Sequence, residues 1–106
     1  MLEDWILRKK EIEATKGNLK GIDLSNSKLM GARLGEADLT EADLSSAYLI
    51  KADLSKASLV NADLTQAVLS EAILVEADMD GAELMDAYLH GANLQGVVNL
   101  TCDQIE

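Results

Sequence analysis

The chain has no phenylalanine, no proline, one tryptophan and two tyrosines, so any interior it builds must be aliphatic. A single cysteine, Cys102, excludes an internal disulfide and fits a reducing compartment. One histidine, His90, and one cysteine make no metal-ligand set. Spacing supplies neither a third orienting group nor an oxyanion hole for a Cys102/His90 pair, so the chain is expected to be neither an enzyme nor a cofactor protein. Apolar runs long enough to span a membrane are missing. The opening MLEDWILRKKE carries acids at 3 and 4 and does not read as a signal peptide, so a soluble, cytoplasmic protein is expected. Basic residues are also scarce in the second half. Lys56 is the last, and nine acids follow it. With a formal net charge of −10, the chain should be repelled by phosphate backbones, which argues against direct nucleic-acid binding. A protein partner, basic if charge steers the encounter, suits it better.

What is present is a five-residue repeat without a slip. Leu occupies 19, 24, 29 and every fifth position through 94, with Met79 the one substitute. Two residues before each sits a small residue, always Ala from Ala32 to Ala92. This self-similarity is settled before any local reading. A period of five excludes both common structures. On a helix at 100° per residue the leucines would march around the axis and form no stripe. In a continuous strand, five being odd, successive leucines would face opposite sides. Only a chain that bends once per unit keeps every Leu inward. Ala and Leu, two apart, then share one face of a short extended segment, the neighbours of Leu point out, and the fifth residue leads into a corner. Gly31, Gly81, Gly91 and Gly96 fall at such corners and form no phosphate-binding loop.

Both ends depart from the rule. Residues 1–16 are expected to form an amphipathic capping helix, with Leu2, Trp5, Ile6 and Ile12 near helical spacing, an Asp4/Arg8 pair, Lys16 in the last turn and Gly17 as the stop. Residues 17–96 hold sixteen repeat units. After Gly96 the next Leu, Leu100, comes one residue late. Residues 97–106 are therefore expected to form a short cap, with a Thr101/Gln104 capping-box pattern and Cys102 as a small cap residue.

The units Ala37-Asp38-Leu39-Thr40-Glu41, Ala62-Asp63-Leu64-Thr65-Gln66 and Ala92-Asn93-Leu94-Gln95-Gly96 read A(D/N)LXX, and the chain resembles the pentapeptide-repeat proteins. The resemblance implies an all-β solenoid, a right-handed quadrilateral β-helix with four units per coil. Sixteen units then make about four coils, roughly 20 Å tall at a β spacing of about 4.8 Å per coil. Gly17, Ile22 and Ser27 in the Ala position of the first units are mild departures.

A twenty-residue coil sorts the outward residues into columns. Asp23, Asp43, Asp63 and Glu83 form an acidic ladder, readable as a binding feature or as Asp satisfied by nearby backbone donors. Tyr48, Val68 and Tyr88 form a second column, with Met30 and Ile50 beside them. Contiguous exposed apolar surface with tyrosines often marks an interface. The expected function is a non-enzymatic protein-interaction scaffold, as monomer or homodimer, using the Met30/Tyr48/Ile50/Val68/Tyr88 face or the acidic half. The resemblance adds a second reading, a DNA mimic acting on a type II topoisomerase, because some pentapeptide-repeat proteins protect DNA gyrase from quinolones.

Overall fold

The computed structural model of the chain describes residues 3–100. Leu2, Cys102 and the Thr101/Gln104 pattern lie outside the described residues.

Each five-residue unit closes its own corner. The Ala37 N–H donates to Leu34 O at 3.0 Å, and the same bond recurs from Ala42 to Leu39 and from Ala47 to Leu44. Between them the second central residue has positive φ, 61° at Glu36 and at Glu41, which is the pattern of a type II turn. Every fifth residue from Gly21 to Gly96 is in this left-handed region. The side chains there include Glu, Lys, Gln, Ser, Asp and Asn as well as Gly.

Such a turn occupies four of the five residues, from Leu to the next Ala. One residue per unit remains to pair with the next coil. The expected short strands are therefore isolated bridges, such as Asp43↔Asp63 and Tyr48↔Val68, and all twelve among the described residues are parallel and offset by twenty positions. Coils are joined through Leu39 N to Ser58 O at 2.9 Å, Glu41 N to Val60 O at 2.8 Å and Asp43 N to Ile22 O at 2.8 Å. Four units per coil and a constant offset of twenty make the section four-sided. The ladder runs on to Val98, whose N–H donates to Ala77 O at 2.9 Å. Asn99, in the position of Leu, has a φ of 66° and leaves the pattern.

The interior is the leucine ladder. Leu24 through Leu74 are wholly buried, as is Met79, and Ala32 through Ala77 are buried beside them. Among the described residues no polar or charged side chain is buried. In the last coil Leu89 and Leu94 are only partly buried against the core.

The helix α1 spans Asp4–Ala14 and so ends two residues before Lys16, where Gly17 as the stop would have placed its end. Thr15 ends it instead, with Oγ1 donating to Glu11 O at 3.1 Å and its N–H bonded to Ile12 O. Lys16–Asn18 then form a 3-10 turn that takes Gly17 inside it. The helix is also less amphipathic than its spacing suggests. Ile12 is its one buried side chain, and Leu7 is exposed. Asp4 and Arg8 make no close ion pair; among the described residues the pairs within 4.0 Å are Lys51–Glu71 and Lys56–Glu76. The helix is tied to the first coil by Ile12 in the core, by Lys9 Nζ donating to Met30 O at 3.2 Å and by Glu13 Oε2 accepting from Arg33 N at 2.7 Å. The molecule measures 44 × 24 × 21 Å.

Candidate interaction face

The side of the coil that carries Tyr48 is built by register alone. Parallel bridges Lys28↔Tyr48, Tyr48↔Val68 and Val68↔Tyr88 stack four residues in one file, each facing out because its Leu neighbour faces in. Tyr48 is 44% exposed and Tyr88 62%, while Val68 between them is half-buried. Met30 and Ile50 lie one file over and are half-buried.

On the other side of the tyrosine file runs the corner file Asn26, Ser46, Gln66 and Asp86, all with positive φ. Between the two files opens a hollow of about 680 Å³ lined by Ser46, Tyr48, Gln66, Val68, Asp86, Ala87 and Tyr88. Its apolar wall is the tyrosine file and its polar rim is the corner file. Ser46 Oγ donates to Gln66 Oε1 at 3.5 Å along the rim, so the Gln66 oxygen is the accepting end of this contact. Met30 and Ile50 do not line the hollow. Ser46, Gln66 and Asp86 do, and sequence reasoning passed them over although the same twenty-residue register places them in one file.

The acidic residues Asp23, Asp43, Asp63 and Glu83 stand in register through bridges 23↔43, 43↔63 and 63↔83. Most of these carboxylates have local partners. Asp23 Oδ1 accepts from Ser25 N at 3.0 Å and Ser25 Oγ at 2.7 Å, Asp43 Oδ1 from Ser45 N and Oγ, and Asp63 Oδ1 from Thr65 N. The Ser25 hydroxyl, and then the Ser25 N–H, hold the Asp23 carboxyl below the ordinary value of 3.8. The pattern also occurs off this file, at Asp53 with Ser55 and at Asn93 with Gln95. Asp or Asn before Leu therefore serves the turn that follows it.

His90 is exposed. Among the described residues no group of three or more His, Cys, Asp or Glu is placed to hold a metal ion. No helix among them is long and apolar enough to cross a membrane.

Corners every five residues, an aliphatic ladder inside and a constant register of twenty define a stacked-coil repeat protein. A family profile described as pentapeptide repeats matches in eight copies, over residues 14–45, 27–66, 47–84 and 62–98, and the chain belongs to this family. Solved structures similar to it include the pentapeptide repeat protein alr5209 from Nostoc PCC 7120, at 39% identity and a TM-score of 0.72, covering 87% of this chain and 73% of that one. HetL, a pentapeptide repeat protein involved in heterocyst differentiation regulation in Nostoc sp. strain PCC 7120, is 41% identical with a TM-score of 0.71, over 76% of this chain and 38% of its own. Rfr23 from the cyanobacterium Cyanothece 51142 is 39% identical with a TM-score of 0.71, over 74% and 54%. The chain thus spans about half the length of Rfr23 and less than half that of HetL. A comparison with curated proteins finds no match.

Proposed function

We infer that this chain is a non-enzymatic interaction scaffold: a right-handed quadrilateral coil that presents the Tyr48/Val68/Tyr88 face to a protein partner in the cytoplasm. The observation that carries this reading is the hollow of about 680 Å³ beside that file, where two exposed tyrosines meet a polar rim. Tyr is among the residues most enriched in protein interfaces, where one end is apolar and the other wet. Tyr48 and Tyr88 flank Val68 in one file, whereas the other exposed large hydrophobics of the coils, Ile73, Met85 and Val98, stand one to a file. A pull-down with the intact protein beside a Tyr48→Ala/Tyr88→Ala variant tests it. The expected outcome is a partner retained by the wild type and lost by the variant. Equal retention by both would move function off this face.

The second reading, a DNA mimic acting on DNA gyrase, draws on the in-register column Asp23, Asp43, Asp63 and Glu83. It has less support, because most of these carboxylates are engaged in their own turns and the same arrangement recurs on other sides of the coil.

A further inference from the structure

The hollow has a period of its own. We propose that it receives a proline-rich segment in the polyproline II conformation, lying along the solenoid axis with a basic residue at the Asp86 end. This rests on the reading of the Tyr48/Val68/Tyr88 face as the contact surface, and it names the occupant.

Tyr48 and Tyr88 are two coils apart with Val68 between them, which at the β spacing is roughly 9.6 Å. A polyproline II helix repeats every three residues at a rise of about 3.1 Å, so positions three apart are separated by about 9.3 Å. An extended strand repeats its facing side chains at about 6.6 Å, which does not match the tyrosine spacing, and an α-helix sets i and i+7 about 10.5 Å apart, a poorer match than about 9.3 Å. The backbone chemistry agrees. The ladder hydrogen bonds run between coils, and this face turns outward only side chains. A docking strand would find no ladder there. A polyproline II segment has no internal hydrogen bonds and keeps its backbone solvated, so it needs none. Aromatic-lined grooves are the usual seat for such segments.

The rim supplies the polar contacts. The Gln66 amide N–H₂, its oxygen already accepting from Ser46, can donate to one ligand carbonyl. Asp86 lines the hollow next to Tyr88, and the chain's charge of −10 with no Lys or Arg after Lys56 sets the sign of a flanking residue as positive.

The test titrates the intact protein with an acetylated, amidated peptide Pro-Pro-Leu-Pro-Pro-Leu-Pro-Arg, following backbone amide NMR shifts. Saturable shifts confined to residues 46–50, 66–70 and 86–90 are expected. Tyr48→Ala and Tyr88→Ala should each weaken binding about tenfold, with unchanged circular dichroism because both side chains are exposed. Asp86→Asn should weaken it about threefold and flatten its salt dependence. A control peptide with every Pro replaced by Ala should bind at least about tenfold more weakly, having lost the preformed conformation. Equal binding of the control at the same face would overturn the polyproline inference while leaving the contact-surface reading intact. Absence of saturable shifts with the Pro-rich peptide, or a wild-type dimer that Tyr48→Ala/Tyr88→Ala converts to monomer, would also overturn it. The contact-surface reading itself stands or falls on the pull-down.

Discussion

Glu41 shows what the corners demand of single residues. It sits at a φ of 61°, and Glu36, Lys51, Lys56, Gln66, Glu71 and Glu76 share the left-handed region. The left-handed region costs an L-residue about 1–2 kcal/mol, and the cooperative ladder on both sides holds it there. At Gly81 an added Cβ would meet Asn61 Oδ1 of the preceding coil, the far end of a side chain that can turn away. Glu41→Val should lower stability by roughly 1–2 kcal/mol in urea unfolding, since a β-branched residue suits this region least, while Glu41→Gly should leave stability equal or higher. A neutral Glu41→Val would mean that the corner relaxes out of the left-handed region. Asp23 offers a second check. Its folded-state pKa is depressed, so its contribution to stability is complete above the unfolded value of about 3.9 and is lost as pH falls through the folded value. Ser25→Ala should raise the Asp23 midpoint toward the ordinary value in a carboxyl NMR titration. An unmoved midpoint would show that the hydroxyl is not the cause.

At the scale of the element, the unit is a turn plus one paired residue, and its stability comes from stacking leucines. Leu59 is wholly buried in mid-ladder with coils on both sides. An unpaired ammonium there would cost several kcal/mol, a large fraction of the stability of a small domain. Leu59→Lys should therefore abolish the cooperative melt seen by circular dichroism, and a variant with unchanged melting would contradict the inward ladder. That ladder was readable from the letters because an odd period leaves a bent chain as the only way to keep every Leu on one side. The end of α1 was not readable. Gly17 and Lys16 carry the usual stop signals, but the Thr15 hydroxyl turns back onto Glu11 O and a 3-10 turn absorbs both. The files containing Tyr48 and Asp23 followed from register, whereas the hollow did not. It depends on how far the corner side chains Ser46, Gln66 and Asp86 stand from the tyrosines, and a register carries no depth.

Over the whole molecule, charge is graded along the axis. The first twenty residues carry five basic side chains and four acids, and no basic residue follows Lys56. The two close ion pairs, Lys51–Glu71 at 3.9 Å and Lys56–Glu76 at 4.0 Å, join successive coils at exposed corners. Pairs of this kind contribute about 0–1 kcal/mol, so they trim repulsion between coils rather than hold them together. The gradient can steer a basic partner toward the far end, and most of the ladder's carboxylates, although charged, are held through one oxygen in their own turns. A gyrase supercoiling assay should accordingly show no inhibition at roughly tens of micromolar protein, a level at which even weak specific contacts are populated. Inhibition there would revive the DNA-mimic reading. The constant offset of twenty has one more consequence, for how such chains can change length. Gain or loss of a whole coil leaves every file intact. A single extra pentapeptide between Val68 and Tyr88 would satisfy the Ala and Leu ladder equally well, yet it would advance everything after it by a quarter turn. Tyr88 would move around the corner from Tyr48 with the core still filled. Phase, rather than packing, is thus what keeps a binding face in one piece in this fold.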